Sequence, residues 1–339
     1  MPSNTAAWLT AAKAKPLEVK PAPYTAPGEH EIVVKAGALA VNPIDWKLQE
    51  EPFYPLDYPT ILGQDVAGEV VEVGGSVSRF SKGDRVVGHA LGFITKRNAE
   101  AGFQEYSILQ DHMASPIPRE LSFDYASVIP LGLSTAAAGL FQKGYLELQH
   151  PSVNIKPTGK TLLVWGGSSS VGVNAIQLAV AAGYEVITTA SSKNFDLVKK
   201  LGASQVFDYN SKTIVNELVG AFKNKILAGV FDAINVDGAF TSCIEVADQS
   251  TGNKFVASSL RIPEKLPSGV SAKWIFAVSI RENEVSKAIY ETFLPQALAE
   301  GRFVAAPEPH VVGKGIEYVQ AGLDALKNGV SAKKVVITL

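Results

Sequence analysis

Apolar and polar positions alternate along the first third of the chain in short bursts, broken repeatedly by glycine and proline. Over 30–41, 66–73, 84–90 and 103–109 the period is near two, which predicts strands of a mostly β domain. From about residue 123 to 274 the texture changes. Continuous apolar runs of strand length now alternate with helical patterns: strands over 161–165, 184–189, 205–207, 230–235 and 255–258, and helices over 173–182, 194–201, 213–222 and from Ala239. That rhythm predicts a doubly wound parallel sheet. Beyond it, 283–301 and 315–327 are helical in period and 334–339 reads as a closing strand that returns to the β domain. The nucleotide-type domain is then an insertion, with domains over 1–125 plus 276–339 and over 126–275, and 149–158 a surface loop.

The first apolar run of the parallel part, Thr161-Leu-Leu-Val-Trp165, breaks into Gly166-Gly-Ser-Ser-Ser-Val-Gly172 before a helix. A tight turn between strand and helix directs backbone N–H groups and the positive end of the helix dipole at one point, which suits a pyrophosphate. Gly166, Gly167, Ser168, Ser169, Ser170, Val171 and Gly172 are therefore candidate dinucleotide-binding residues, although Ser169 stands where a middle glycine is expected. The second strand selects the dinucleotide. An acidic residue at its end would bind the ribose 2′-hydroxyl of NAD, but here the chain reads Thr188-Thr-Ala-Ser-Ser-Lys193, with no carboxylate before Asp196. Ser191, Ser192 and Lys193, with Tyr209 after the third strand, suit the 2′-phosphate of NADPH.

Composition narrows the function further. The chain has 339 residues, 46% of them hydrophobic, and a net charge of −2, so it offers no basic field for nucleic acid. The single Cys243 excludes an intrachain disulfide and any multi-thiolate zinc site, and reads as a small core residue. No run of 18 or more apolar residues predicts a membrane span, and Met1-Pro-Ser-Asn-Thr-Ala-Ala-Trp8 lacks a charged leader with an apolar core; a cytoplasmic location is expected.

The segment Val70-Val-Glu-Val-Gly-Gly-Ser-Val-Ser-Arg-Phe-Ser-Lys-Gly-Asp-Arg-Val-Val-Gly88, in a β domain that precedes a nucleotide domain, resembles the medium-chain dehydrogenase/reductase superfamily. The resemblance runs from about Ala6 to Leu339. It implies a GroES-like β-rich catalytic domain plus an inserted Rossmann domain, with the cofactor and the active site between them. Zinc-dependent members hold a catalytic metal with a cysteine, a histidine and a third ligand. In the matching stretches this chain has Asn42 for the cysteine, Gly63-Gln-Asp65 for Gly-His-Glu, and Leu131 at the third position of Pro130-Leu-Gly-Leu-Ser-Thr135. The four-cysteine structural lobe is missing from 90–102, and His89 and His112 read as isolated. No metal is expected.

The segment Asn42-Pro43-x-Asp45-x-Lys47 resembles the zinc-free branch, which reduces quinones, alkenals, alkenones and enoyl thioesters; fungal trans-acting enoyl reductases are the nearest resemblance. Without a Lewis acid, hydride delivery to a C=C bond conjugated to a carbonyl is favoured, because the carbonyl itself takes the charge. The resemblance implies Lys47 as a group that stabilises an enolate, Asn42 as an amide donor and Asp45 as a residue that orients Lys47; a capping aspartate and a solvated lysine are the other reading. It also implies that Thr135, Asn235, Ser258, Phe276 and Val278 line the cofactor, and that Tyr54, Trp274, Ile280 and Phe293 wall the cleft or fill the core. The expected partner is a small apolar substrate, with a thioester-bound acyl chain on a carrier protein within range. Monomer and homodimer both stay open. NADPH:quinone reduction and a non-catalytic NADPH-binding protein are the competing functions.

Overall fold

A computed structural model describes residues 2–51, 53–234, 236, 238–260, 262 and 265–339. The chain divides into two compact units. The first comprises Met1–Leu131, Leu298–Gly301 and Ala305–Leu339; the second comprises Gly132–Ala297 and Arg302–Val304.

In the first unit a seven-stranded sheet is built around the long strand Glu31–Ala40, which pairs antiparallel with Asp65–Val73, Tyr106–Gln110 and Lys333–Thr338. The closing strand predicted at the C-terminus thus sits beside Glu31–Ala40, with Val336 opposite Ala40. A smaller sheet of three strands, among them Asn4–Leu9, completes the unit. Alternation along Glu31–Ala40 and Asp65–Val73 sends Ile32, Val34, Val66 and Val70 into one core with Leu9, Phe103 and Ile337. Gly68 is needed where these strands approach, since a Cβ there would meet the Lys35 carbonyl oxygen at 2.1 Å.

The second unit is a parallel six-stranded sheet whose spatial order is third, second, first, fourth, fifth, sixth: Gln205–Asp208, Glu185–Ala190, Lys160–Trp165, Ile226–Asp232, Phe255–Ser258 and Ser271–Trp274. This is the doubly wound Rossmann order, with its switch point between the first and fourth strands. Helices Ser170–Ala181, Phe195–Lys200, Ile214–Phe222 and Ala239–Gln249 follow the strands, as the pattern predicts. Leu163, Ile187, Val230 and Val256 share a core with Leu218, Phe222 and Cys243, whose thiol is fully buried and held above its usual pKa by that burial.

Several elements differ from the sequence expectation. Strand 230–235 begins four residues earlier, at Ile226, and ends at Asp232. The helix expected over 283–301 is present and unbroken over 284–299, but its middle, Lys287–Phe293, is π-helical between the α-helical ends Glu284–Ser286 and Leu294–Ala299. Pro295 has no N–H and its ring crowds the carbonyl one turn back, so the ladder widens before it. Residues 276–297, expected with the β domain, lie in the second unit, where Tyr290 hydrogen-bonds Ser134 at 2.8 Å and Phe293 packs edge-on to Phe303. No helix among the described residues is long and apolar enough to cross a membrane.

Candidate functional site

In the second unit the parallel strands place their carboxyl ends together, which brings the glycine turn 166–172, the segment 191–193, Tyr209 and Ser258 to one edge of the sheet. Gly166 leaves the first strand with φ +79, a conformation that side chains rarely adopt. A Cβ on Gly167 would lie 2.1 Å from Thr188 Oγ1, and one on Gly172 would lie 2.3 Å from the Gly166 carbonyl oxygen. The turn therefore closes only with glycine at both places. Two threonines of the second strand hold it: Gly166 N–H donates to Thr189 Oγ1 at 3.0 Å, Gly167 N–H to the Thr189 carbonyl at 2.8 Å, and Thr188 Oγ1 to the Val164 carbonyl at 2.7 Å.

Ser169 takes a definite role. It caps the helix Ser170–Ala181, its Oγ accepting from Gly172 N–H at 3.0 Å. The N–H groups of Ser170 and Val171, the first two helical residues, have no intrahelical acceptor and stay available to an anion. Across the turn, Asn194 Nδ2 donates to Ser168 Oγ at 3.3 Å and to Ser191 Oγ at 3.1 Å, tying the serine run to the end of the second strand. Lys193 is exposed and makes no ion pair or hydrogen bond among the described residues, and Tyr209 is 39% exposed. Ser258 is buried and donates to Asp232 Oδ2 at 3.1 Å; Val278 and Thr135 are buried, and Phe276 stands 5.7 Å from Trp274. Ile280 and Phe293 are core residues. Asn235 lies outside the described residues.

The first unit holds the second constellation. Asn42, at the N-terminus of helix Pro43–Glu50, gives its side-chain Nδ2 to Asp65 Oδ2 at 2.7 Å. Asp65 Oδ1 accepts Leu131 N–H at 2.7 Å, and Asp65 Oδ2 pairs with Lys334 Nζ at 2.8 Å. Lys334 also donates to Asn42 Oδ1, and its side chain is 3% exposed. Asp45 is fully buried. Its Oδ2 accepts the backbone N–H of Asn42 at 2.8 Å, while its Oδ1 and the Gln64 Nε2 lack a partner at hydrogen-bond geometry. Burial first, and then the nearby Asp65 charge, raise the Asp45 pKa to about 7 against the pull of Asn42, Lys334 and Gln64. His89, also buried, shares a 3.3 Å contact with Gln64 Oε1, and burial lowers its pKa to about 4.

Lys47 is half-buried with its Nζ 5.6 Å from the centre of the Trp46 ring. Asp45 does not reach it: the carboxylate caps the helix start instead, so the expectation that Asp45 orients Lys47 fails for a local reason. Asn42, expected as a donor to substrate, spends its amide on Asp65. In the same unit a pocket of about 260 Å³ has a mixed lining, apolar at Leu56, Ile61 and Phe93 and polar at Asp57, Thr60, Lys96 and Asn98. Tyr54 packs on Phe93 at 4.5 Å.

Comparison with known proteins agrees with both halves. Residues 28–119 match the alcohol dehydrogenase GroES-like domain, and residues 170–281 match the zinc-binding dehydrogenase domain. A dehydrogenase of Aspergillus niger, azaJ, is 52% identical, with all of this chain and all of that protein aligned. The chain belongs to the medium-chain dehydrogenase/reductase superfamily. Within the superfamily, the trans-enoyl reductase himH of Aspergillus japonicus is 41% identical over 99% of this chain and 97% of its own. The quinone oxidoreductase of Pseudomonas syringae pv. Tomato DC3000 shares the fold, with a TM-score of 0.75 at 22% identity and with 99% of this chain and 100% of that chain covered.

The zinc-binding name of the second domain requires a fit test at the ligand positions. Asn42, Gln64 and Leu131 supply two neutral amides and an alkyl group, and the Asn42 amide is already engaged by an ammonium and a carboxylate. Among the described residues no group of three or more His, Cys, Asp or Glu could hold a metal ion. The residues present do not fit tetrahedral zinc. Sequence reasoning missed Lys334 and Asn194. Adjacent strand residues face opposite sides, so Lys333-Lys334 in a closing strand already implied one lysine turned inward.

Proposed function

We propose that this member of the superfamily is an NADPH-dependent, zinc-independent reductase of activated C=C bonds, acting on an enoyl thioester, enone or enal. The observation that carries the reading is the filling of the ligand positions by the Asn42–Asp65–Lys334 cluster, which leaves no Lewis acid for alcohol oxidation. The full-length similarity to a protein named a trans-enoyl reductase supports it.

A bound NADPH supplies a hydride for the β-carbon of the substrate. The chain's own residues bind and orient. The N–H groups of Ser170 and Val171 would hold the pyrophosphate, and Gly166, Gly167 and Gly172 keep the turn tight enough for backbone approach. Ser191, Ser192 and Lys193 would hold the 2′-phosphate, with no carboxylate in the segment to repel it. Lys47 favours the charge that develops on the carbonyl oxygen over the neutral carbonyl it comes from.

Position of label tests the reading. With NADPH deuterated at C4 and a panel of enoyl thioesters, enals, enones, quinones and ketones, mass spectrometry should find deuterium on the β-carbon of the reduced product. Label on a carbinol carbon, or consumption of NADPH by quinones alone, would sink it.

A further inference from the structure

Positions 42, 64–65 and 131 lie on three separate elements, the start of helix Pro43–Glu50, the start of strand Asp65–Val73 and the first turn of helix Pro130–Phe141. In zinc-dependent members a divalent ion would tie them together. Here a single carboxylate does so: Asp65 accepts the Leu131 N–H on one oxygen and the Asn42 amide on the other. A fourth segment, strand Lys333–Thr338, delivers the positive charge. Lys334 reaches both Asp65, at 2.8 Å, and Asn42 Oδ1, and almost none of it is exposed. Burial of an ammonium is tolerated only when it is paired and hydrogen-bonded where it stands, and both conditions are met.

We propose that Lys334 is a built-in cation that has taken the place of the metal: its ammonium, with Asp65 as counter-ion, cross-links the ligand positions and keeps metal ions out of them. The connectivity supports this, because the two groups touch Asn42 and Leu131 directly and Gln64 through the adjacent residue of the chain. Electrostatics supports it too, since a divalent ion beside Asn42 would stand within a few ångströms of a buried ammonium and be repelled in a poorly screened medium. The substitution changes the chemistry available. An ammonium holds charge and geometry but cannot act as a Lewis acid, and no chelator removes it. Lys334 is thus a positioning residue that acts through Asn42 and Asp65. The inference concerns what occupies the site and stands whatever substrate is reduced.

Restoring the ligands tests it. Two full-length variants carry Asn42→Cys, Gln64→His and Leu131→Cys together, one with Lys334 kept and one with Lys334→Ala added. Each is titrated with cobalt(II) after circular dichroism shows native structure, reading the thiolate-to-cobalt charge-transfer band and the visible bands of a tetrahedral site. One cobalt per chain is expected with Lys334→Ala, and binding roughly 100-fold weaker where the lysine remains. Equal affinity in the two variants, or no band in either, overturns the proposal. Should the restored background not fold, urea midpoints of Lys334→Met, Asp65→Asn and the double variant decide. Lys334→Met alone should lower the midpoint, and adding Asp65→Asn should recover most of the loss. Additive losses would overturn the counter-ion assignment.

Discussion

Asp45 and His89 belong to one buried cluster and are displaced in opposite directions, with Asp65, Lys334 and Gln64 as their charged and polar neighbours. In the folded chain Asp45 keeps its proton to about pH 7, whereas an ordinary aspartate loses it near 3.8. The folded state binds the extra proton, so this contribution to stability is complete below pH 3.8 and is lost as pH rises to 7. His89 runs the other way. An ordinary imidazole titrates near 6.5 and the buried one near 4, so its contribution is present above pH 6.5 and is lost as pH falls to 4. Between these limits the two offset one another. Asp45→Asn removes the first and leaves the second; relative to the wild type it should lose stability as pH falls from 7 to 4, by up to about 1.4 kcal/mol per pH unit. Urea unfolding at several pH values checks this, and parallel curves for the two proteins would refute it.

At the scale of elements, the glycine turn and the end of the second strand give two predictions that separate turn geometry from cofactor choice. Gly172→Ala puts a methyl against backbone atoms of Gly166 and Gly167, where no side chain can yield. It should destabilise the protein by about 1–3 kcal/mol and abolish NADPH binding, measured by thermal unfolding and by titration. Lys193→Ala touches nothing inside the protein. It should leave stability unchanged and weaken NADPH roughly 10- to 150-fold while NADH binding barely moves. Equal wild-type affinity for the two cofactors would remove the basis for that prediction. The glycine turn was legible in the sequence because its chemistry is local: strand, turn, helix and second strand follow within about 30 residues. The edge strand Glu308–Lys314 was not, since it is mostly exposed and carries no apolar alternation. Helix Pro130–Phe141 was missed for the opposite reason, being apolar nearly all round and without an amphipathic period. The Lys334 contact with Asn42 spans 292 residues, and only pairing of the closing strand with Glu31–Ala40 brings it within reach.

For the whole molecule, the proposed reductase reading predicts metal independence. Elemental analysis of the purified protein should find no stoichiometric zinc, and chelator should leave turnover intact. Activity that disappears with chelator and returns with zinc would count against the reductase reading and against the lysine in the metal's place.

The one sulfhydryl in the chain lies under the fourth strand of the parallel sheet, fully enclosed and far from a reactive state. A protein with a single shielded thiol carries its own clock. Alkylating reagents can reach Cys243 only when the second unit opens, so the pace of labelling at rising reagent concentration reports how often that unit breathes. Occupation of the nucleotide edge should slow that pace, giving a readout of ligand binding that needs neither turnover nor a known substrate.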